Sequence, residues 1–491
     1  MKVIIIGGGL GGLSAAVTLA RHGASVKLFE KNPHFGGKMM PIDLDGYHFD
    51  FGPNTITMPE VFKEVFTQGG LAAKDQPVFE KIERHTRNQF PDGGHFDFSS
   101  DHQDMKNQIA ALEPGKEHQY DSFTREVERL YNLSKQSFLN RTFSSWKDYL
   151  SPSLAAKIVQ VKPWQNMDSF FAKYFSHPYI RQSLNRYATY IGSSPFHAPA
   201  TFAMIAHLEL NQGVYYVRGG NTKIAEAFVK AAKKQGAELY NNTKIQRITT
   251  ANRKVTGVVT QEGDFQEADY VILNGDLLHS IPELIENEKR NHLSDDKINS
   301  YDPSTSAFVL LAGLNKRLDQ LHHHHLLFSA DYHKEFNSLK NGDYPTDPTI
   351  YISTSSKSDP TVSPYGDNCF LLVNAPPVGA GRNDVDPEEV KERIYSLLNT
   401  AGIPIKNYIQ AEEVWTPEKI ASQFGAFKGA IYGPSSNNKR QAFMRPFNRS
   451  LDFSNLYFCG GSTHPGGGAP LVVLSGQNVA NQLLGRLVIM E

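Results

Sequence analysis

The sequence predicts an α/β protein: a Rossmann-like nucleotide-binding sheet, a helical lobe, and a further lobe of mixed strands and helices. Three observations predict it. The chain opens on an apolar β-branched run, Val3-Ile4-Ile5-Ile6, followed by Gly7 to Gly12, an Ala-rich helical stretch and a second short strand ending at Glu30, which together make a βαβ unit. A helix and several short strands between Thr222 and Asn274 have the form of a return to the same sheet. Near the end, a strand at Leu456 to Cys459 runs into a glycine-rich loop and a final helix.

Composition bounds the rest. A chain of 491 residues is long enough for two or more cores. With 50 Lys and Arg against 51 Asp and Glu, the net charge is −1, which argues against nucleic acid as a partner. Two cysteines, Cys369 and Cys459, make neither a disulfide framework nor a metal site, and suit a reducing cytoplasm. Glycine interrupts the apolar run after Lys2, so it is not a signal peptide. No apolar run reaches the length of a spanning helix. Aromatic residues make up 11 % of the chain, which suits large cores or a site for a big apolar ligand.

Taken in order, Gly7, Gly9 and Gly12 occupy the three glycine positions of G-x-G-x-x-G. The first permits the tight turn, the second lets a pyrophosphate approach the backbone, and the third lets helix pack on strand. The helix N-terminus then faces the phosphates. Glu30 ends the second strand where an acid holds a ribose hydroxyl. Gly36-Gly37-Lys38 and Gly52-Pro53 let backbone run close to a bound dinucleotide and turn sharply after a strand. Asn88 to Gly94 reads as a hairpin tip.

From about 120 to 211 the pattern is helical and aromatic. Trp146, Tyr149, Trp164, Phe170, Phe171, Tyr174, Phe175, Tyr179, Tyr187 and Tyr190 alternate with Lys147, Lys157, Lys162, Lys173, Arg181 and Arg186. That pattern fits a helix lying in a membrane interface, and equally an aromatic core. Residues 286–445 read as a second mixed lobe, with strands at Ser306, Thr349 and Cys369 and a helix from Asp384 to Asn399 started by Pro387. His322 to His325 have no ligand partner at metal spacing and read as a solvated loop. In the last block, Gly460-Gly461 and Gly466-Gly467-Gly468 precede Pro470, a first-turn residue of a helix running to Leu487.

The set Gly7 to Gly12, Glu30, Gly36-Gly37 and Phe51-Gly52-Pro53 resembles FAD-dependent oxidoreductases of the amine oxidase and phytoene desaturase superfamily. Lys38 departs mildly, since the family more often has Arg there, and it leaves a cation near the phosphates. The resemblance implies FAD as cofactor and a fold of the glutathione reductase and amine oxidase type. It implies an FAD-binding domain in three parts, 1–105, 212–285 and 446–491, a helical, membrane-facing lobe over 106–211, and a substrate-binding domain over 286–445. It also implies that Gly460, Gly461, Gly467, Gly468 and Pro470 meet the flavin end of the cofactor, with glycines facing the ring.

Tyr187 to Ser194, Ala198-Pro199-Ala200, Gly213 to Gly220, Val414 to Pro417, Gly429 to Gly433 and His464-Pro465-Gly466 are similar to the bacterial carotenoid desaturase group. That group holds desaturases of C30 chains and paralogous oxidases of their terminal methyls. Gly461 and Gly467 stand where a desaturase has Ala, which leans toward terminal oxidation of diaponeurosporene or diapolycopene, with desaturation as the alternative. A soluble amine oxidase fits the aromatic lobe less well, and a non-catalytic carotenoid carrier has no need of both glycine segments. The group implies hydride transfer from an allylic carbon to the flavin, a hydrophobic carotenoid substrate, and a cytoplasmic protein peripheral on the inner face of the cell membrane. The electron acceptor stays open between O2 and a quinone. His464 is the one titratable side chain expected at the flavin face, either as a proton relay or as a support for the Pro465 turn.

Overall fold

In the computed structural model, residues 1–381 and 385–485 are described. The β-branched run forms the strand Lys2–Ile6 at the centre of a five-stranded parallel sheet. Its order is Leu456–Phe458, Tyr270–Leu273, Lys2–Ile6, Ser25–Phe29, Glu238–Tyr240. Ile4 pairs with Val271 on one side and Lys27 on the other, and Ile272 pairs with Tyr457. Three distant parts of the chain therefore build one sheet, with their carboxyl ends on one edge. A parallel sheet of this kind is covered on its faces and reads as continuous apolar runs.

The helix Leu10–Arg21 is buried from Leu10 to Ala20 and packs against the final helix, Ala469–Leu483. Small residues let the two backbones touch. A Cβ at Gly476 would lie 2.0 Å from the Gly11 carbonyl oxygen, and Ser14 donates to the Val473 carbonyl at 2.9 Å. Gly12 meets its own turn as closely, since a Cβ there would lie 2.3 Å from the Gly7 carbonyl oxygen. The final helix was expected to reach Leu487, which lies outside the described residues, as does Asp384 of the helix observed at Pro387–Thr400.

A seven-stranded mixed sheet forms the second layer system, in the order Ile409–Trp415, Ser306–Leu314, Asn368–Ala375, Ile350–Ser353, His324–Leu327, Arg84–Gln89, His95–Ser99. Its strand Ser306–Leu314 is buried on both faces. Phe308, Leu310 and Ala312 pack with Val390, Ile394 and Leu398 of the helix Pro387–Thr400. Ala307, Val309 and Leu311 pack with Phe49 and Phe51 of the hairpin Met40–Leu44 and Tyr47–Phe51. The strands Arg84–Gln89 and His95–Ser99, grouped by sequence with residues 1–105, pair into this sheet instead, Arg84–Gln89 running parallel to His324–Leu327.

That pairing corrects the reading of the histidine run. His323, His324 and His325 are buried, and the last two lie in a strand flanked on both sides. His323 Nδ1 meets Ser358 Oγ at 2.6 Å, His324 Nδ1 meets the Tyr351 hydroxyl at 2.9 Å, and His325 Nε2 meets Gln89 Oε1 at 2.9 Å. They are buried residues in and beside a sheet strand, each with one ring nitrogen engaged, rather than a solvated loop. Among the described residues no group of His, Cys, Asp and Glu side chains is placed to hold a metal ion.

The aromatic lobe divides as well. Phe170, Phe171, Phe175 and Tyr187 are fully buried. Large apolar side chains emerge over a shorter stretch: Trp146, Leu150, Val159 and Trp164 are 49, 77, 56 and 65 % exposed. No helix among the described residues is long and apolar enough to cross a membrane.

Burial pushes the imidazoles of His85, His323 and His464 down to about 4, and that of His325 to about 3. The unfolded chain takes up protons on these rings near their ordinary pKa while the folded chain refuses them, so stability falls as pH drops from about 6.5 toward 4. The slope is up to about 1.4 kcal/mol per pH unit for each ring. Thermal midpoints should be clearly lower at about pH 5.5 than at about pH 7.5. Equal midpoints would mean that these rings are not buried neutral.

Candidate functional site

A cavity of about 590 Å³ opens where the carboxyl edge of the parallel sheet meets the seven-stranded sheet. Gly7, Gly9, Leu10 and Gly11 form one stretch of its wall, with Gly36, Gly37, Lys38, Gly52 and Pro53 beside them. Gly36 N–H donates to the Gly8 carbonyl at 2.8 Å, which seats the second glycine pair on the first turn. Glu30, Thr243, Lys244 and Ile245 line another stretch. Gly460, Gly461, Gly467, Gly468 and Ala469 bring in the far end of the chain, and Tyr432, Ala307, Val309, Phe370 and Leu372 complete the wall.

Two helix N-termini point into this space. The helix Leu10–Arg21 begins after Gly9 and the helix Ala469–Leu483 after Gly468, and neither has a side-chain cap or an acid in its first turn. Their N–H groups and positive dipole ends are left for an anionic or electron-rich ligand. Glu30 is buried, and its two oxygens accept from Gly8 N–H at 2.7 Å and Asn32 N–H at 2.8 Å. Each oxygen keeps a second lone pair for a ribose hydroxyl. Asn274 joins the chain's beginning to its end: its Nδ2 donates to the Gly7 carbonyl at 3.0 Å, and its Oδ1 accepts from the Cys459 thiol at 3.4 Å. An amphipathic dinucleotide with an extended ring system fits this donor set.

A family profile, Flavin containing amine oxidoreductase, matches residues 10–484. The chain is 32 % identical over 490 residues to a 4,4'-diaponeurosporene oxygenase of Staphylococcus haemolyticus (strain JCSC1435), covering 98 % of this chain and 97 % of that one. It is 33 % identical over 495 residues to a 4,4'-diaponeurosporene oxygenase of Staphylococcus aureus (strain Mu50 / ATCC 700699), covering 99 and 98 %. Cyclohexylamine oxidase from Brevibacterium oxydans IH-35A shares its fold, with a TM-score of 0.60 at 16 % identity over 99 % of both chains.

The chain belongs to the flavin-containing amine oxidoreductases. It is an FAD-dependent oxidoreductase, with the mixed α/β fold of that family.

In this flavin-containing amine oxidoreductase, most of the residues singled out by sequence reach the cavity wall, but not all do so as expected. Gly12 packs on the Gly7 carbonyl, and Pro470 is buried in the first turn of the final helix; neither lines the cavity. The Lys38 ammonium donates to the carbonyls of Ile431 at 2.9 Å and Ala430 at 3.3 Å. Burial pushes its pKa down, and Asp276 partly opposes that. Gly467 was expected to leave room at the flavin face. It lines the cavity, and a Cβ there would lie 3.1 Å from Tyr432 Cδ1 and 3.2 Å from Tyr432 Cα, so its smallness also serves the seat of Tyr432.

His464 does not line the cavity. Its ring is buried edge-on to Phe143, with centroids 4.5 Å apart, and its Nε2 donates to the Phe138 carbonyl at 2.6 Å. Its own carbonyl accepts from Asn448 at 2.8 Å and Ser475 at 2.9 Å. A ring held neutral by burial and engaged on its protonated nitrogen is a brace for the loop, not a relay.

The stretch Tyr270 to Asn274 reads from sequence as ending near the cofactor, and Asn274 does line the cavity, but its role as a link was not read; Arg445 was missed. Arg445 is buried and donates to the carbonyls of Gly461 at 3.1 Å, Pro434 at 3.2 Å and Tyr432 at 3.4 Å, with its pKa pushed down to about 10 by burial. Nothing local marks it.

His464→Gln tests the brace. Thermal stability should fall by about 1–3 kcal/mol as a buried bond is altered, while turnover per bound FAD stays within about twofold of wild type and its pH profile does not move. A hundredfold loss of turnover with FAD retained would restore a catalytic role.

Proposed function

We propose that the chain oxidises the terminal methyl of a C30 carotenoid, of the 4,4'-diaponeurosporene or diapolycopene kind, to an aldehyde. The observation that carries this reading is a match in kind. The relatives aligned along the whole chain are named for a long hydrocarbon substrate, and the sheet face offers Ala307, Val309, Phe370 and Leu372 to the cavity.

In this reading Glu30 holds the ribose, and the N–H groups after Gly9 hold the pyrophosphate. The turn Gly460 to Gly468 and the N-terminus of the helix Ala469–Leu483 lie at the ring. When bound, FAD supplies a two-electron acceptor for a hydride from the allylic end carbon. The protein's own task is position and dryness. Val309, Phe370 and Leu372 hold the chain end by dispersion and exclude water. Arg445 fixes the carbonyls of Gly461 and Tyr432 from behind, which keeps the loop and the phenol in register.

The substrate is insoluble in water, and the exposed stretch Trp146 to Trp164 supports peripheral attachment to the inner face of the cell membrane. Trp146, Leu150, Val159 and Trp164 stand among Lys147, Lys157 and Lys173, the composition of an interfacial anchor. The sequence segments 1–105, less the strands Arg84–Gln89 and His95–Ser99, 212–285 and 446–491 act as one cofactor-binding unit in this reading, and 286–445 with those two strands as the substrate side.

Incubated with diaponeurosporene, FAD-loaded protein should yield an aldehyde, seen as a mass gain and as an oxime on derivatisation. Longer polyenes from diapophytoene, with no oxygen ever gained by diaponeurosporene, would assign desaturation instead. Vesicles of anionic phospholipid should float the protein, less so at high salt, and Trp146→Ser with Trp164→Ser should leave it behind. Flotation of the double variant at the wild-type level would move the anchor elsewhere.

A further inference from the structure

Beside the apolar floor of the cavity stands a polar cluster that hydride transfer from a hydrocarbon does not use. Val309 stands opposite Leu372, and Leu372 opposite Tyr351. Residues paired in this way rise from the same face of a sheet, so Tyr351 follows the two cavity-lining aliphatic residues. Tyr432, on the cavity wall, lies close enough to Tyr351 for the two phenols to influence each other.

The Tyr351 hydroxyl meets His324 Nδ1 at 2.9 Å and Thr55 Oγ1 at 3.5 Å. Thr55 lies two residues beyond the cavity-lining Pro53, and the Tyr190 hydroxyl lies 3.4 Å from its Oγ1. Tyr190 donates to Glu209 Oε1 at 2.5 Å and accepts from Arg186 Nη1 at 3.0 Å. Arg186 and Glu209 are 4 and 1 % exposed and pair with each other at 3.2 Å. Polar side chains therefore run from Tyr351, beside the cavity-lining Leu372, to a buried ion pair.

Thr55, Tyr190 and Tyr351 all keep accessible surface, yet burial holds both phenols above their ordinary range. Arg186 Nε and His324 Nε2, buried in the same cluster, find no partner among the described residues. A pure hydrocarbon end leaves the hydroxyls of Thr55, Tyr190 and Tyr351 to one another, whereas an end that carries oxygen pairs with them.

We propose that Thr55, Tyr190 and Tyr351, backed by Arg186 and Glu209, form a subsite for an oxygen-bearing chain end, the hydroxyl or carbonyl of a long apolar substrate. The inference rests on the terminal oxidation proposed above and deepens it. An end methyl becomes an aldehyde by two two-electron oxidations. Loss of a hydride and capture of a water oxygen, with release of a proton, would give the alcohol, and loss of a second hydride and a proton would give the aldehyde. Each hydride goes to bound FAD, which passes the electrons to an acceptor of the O2 or quinone class. The enzyme must therefore hold an end that has already gained oxygen. The tyrosines and the threonine are positioning residues, donating to or accepting from that oxygen while the apolar floor holds the chain.

Equilibrium binding tests it. FAD-loaded protein in detergent micelles is titrated with diaponeurosporene and with its terminal alcohol, and binding is read from the shift of the polyene absorption band. Wild-type protein should bind the alcohol about tenfold or more tightly than the hydrocarbon. Tyr351→Phe and Tyr190→Phe should bring the two Kd values to within about twofold while leaving that of the hydrocarbon unchanged. Thr55→Val, nearly isosteric, carries the same test should a tyrosine variant fail to fold. Equal Kd values in wild-type protein, or a preference that survives all the substitutions, overturn the subsite and leave the proposed function standing. Wild-type protein that binds neither polyene overturns the proposed function and the subsite with it.

Discussion

The backbone contact between Gly11 and Gly476 brings the first and last helices together, and the site depends on it. A side chain at either position has nowhere to go: a Cβ at Gly11 would lie 2.5 Å from Asn274 Oδ1, and one at Gly476 would lie 2.0 Å from the Gly11 carbonyl oxygen. Because the helices touch there, both N-termini open onto one cavity, one after Gly9 and the other after Gly468. Asn274 then links the Gly7 carbonyl with the Cys459 thiol, so the strand between the first and last strands of the sheet ties both turns together. A cofactor with a charged middle and an electron-accepting ring needs positive dipole ends at two separated places. This packing supplies them without a cationic side chain at either helix start.

Much of that was legible in the sequence, because it rests on local rules. The strand, glycine turn and helix from Lys2 to Arg21 follow from β-branched residues, obligatory glycines and an Ala-rich run. The glycine loop before Pro470 marks the last helix in the same way. What was not legible depends on pairing between distant segments. The histidines at 323–325 look solvated until Arg84–Gln89 and Ile350–Ser353 are laid on either side of them. His464 looks like a flavin neighbour until Phe138 and Phe143 cover it from a segment more than three hundred residues away. Gly467 lines the cavity, but its closeness to Tyr432 shows only once the two segments are packed together. The aromatic stripe of the helical lobe carries both of its meanings, core at Phe170 and Phe171 and surface at Trp146 and Trp164.

The cavity divides its labour between two kinds of wall. In the proposed reading, backbone amides and Glu30 face the polar half of the cofactor, where charge-assisted hydrogen bonds give strength and register. The sheet face beyond Tyr432 offers alkyl and aromatic surface to the substrate, which provides adhesion without direction. In the proposed subsite, direction along that floor comes from Tyr351 and Thr55, so that a chain is held by one end.

A crystal structure of the FAD-loaded protein tests the central claim most directly. The account predicts the adenosine ribose on Glu30, the pyrophosphate over the amides following Gly9, and the isoalloxazine ring between the Gly460 to Gly468 loop and the sheet face of Val309 and Leu372. A flavin whose ring lies away from that loop, or whose ribose lies away from Glu30, would contradict it.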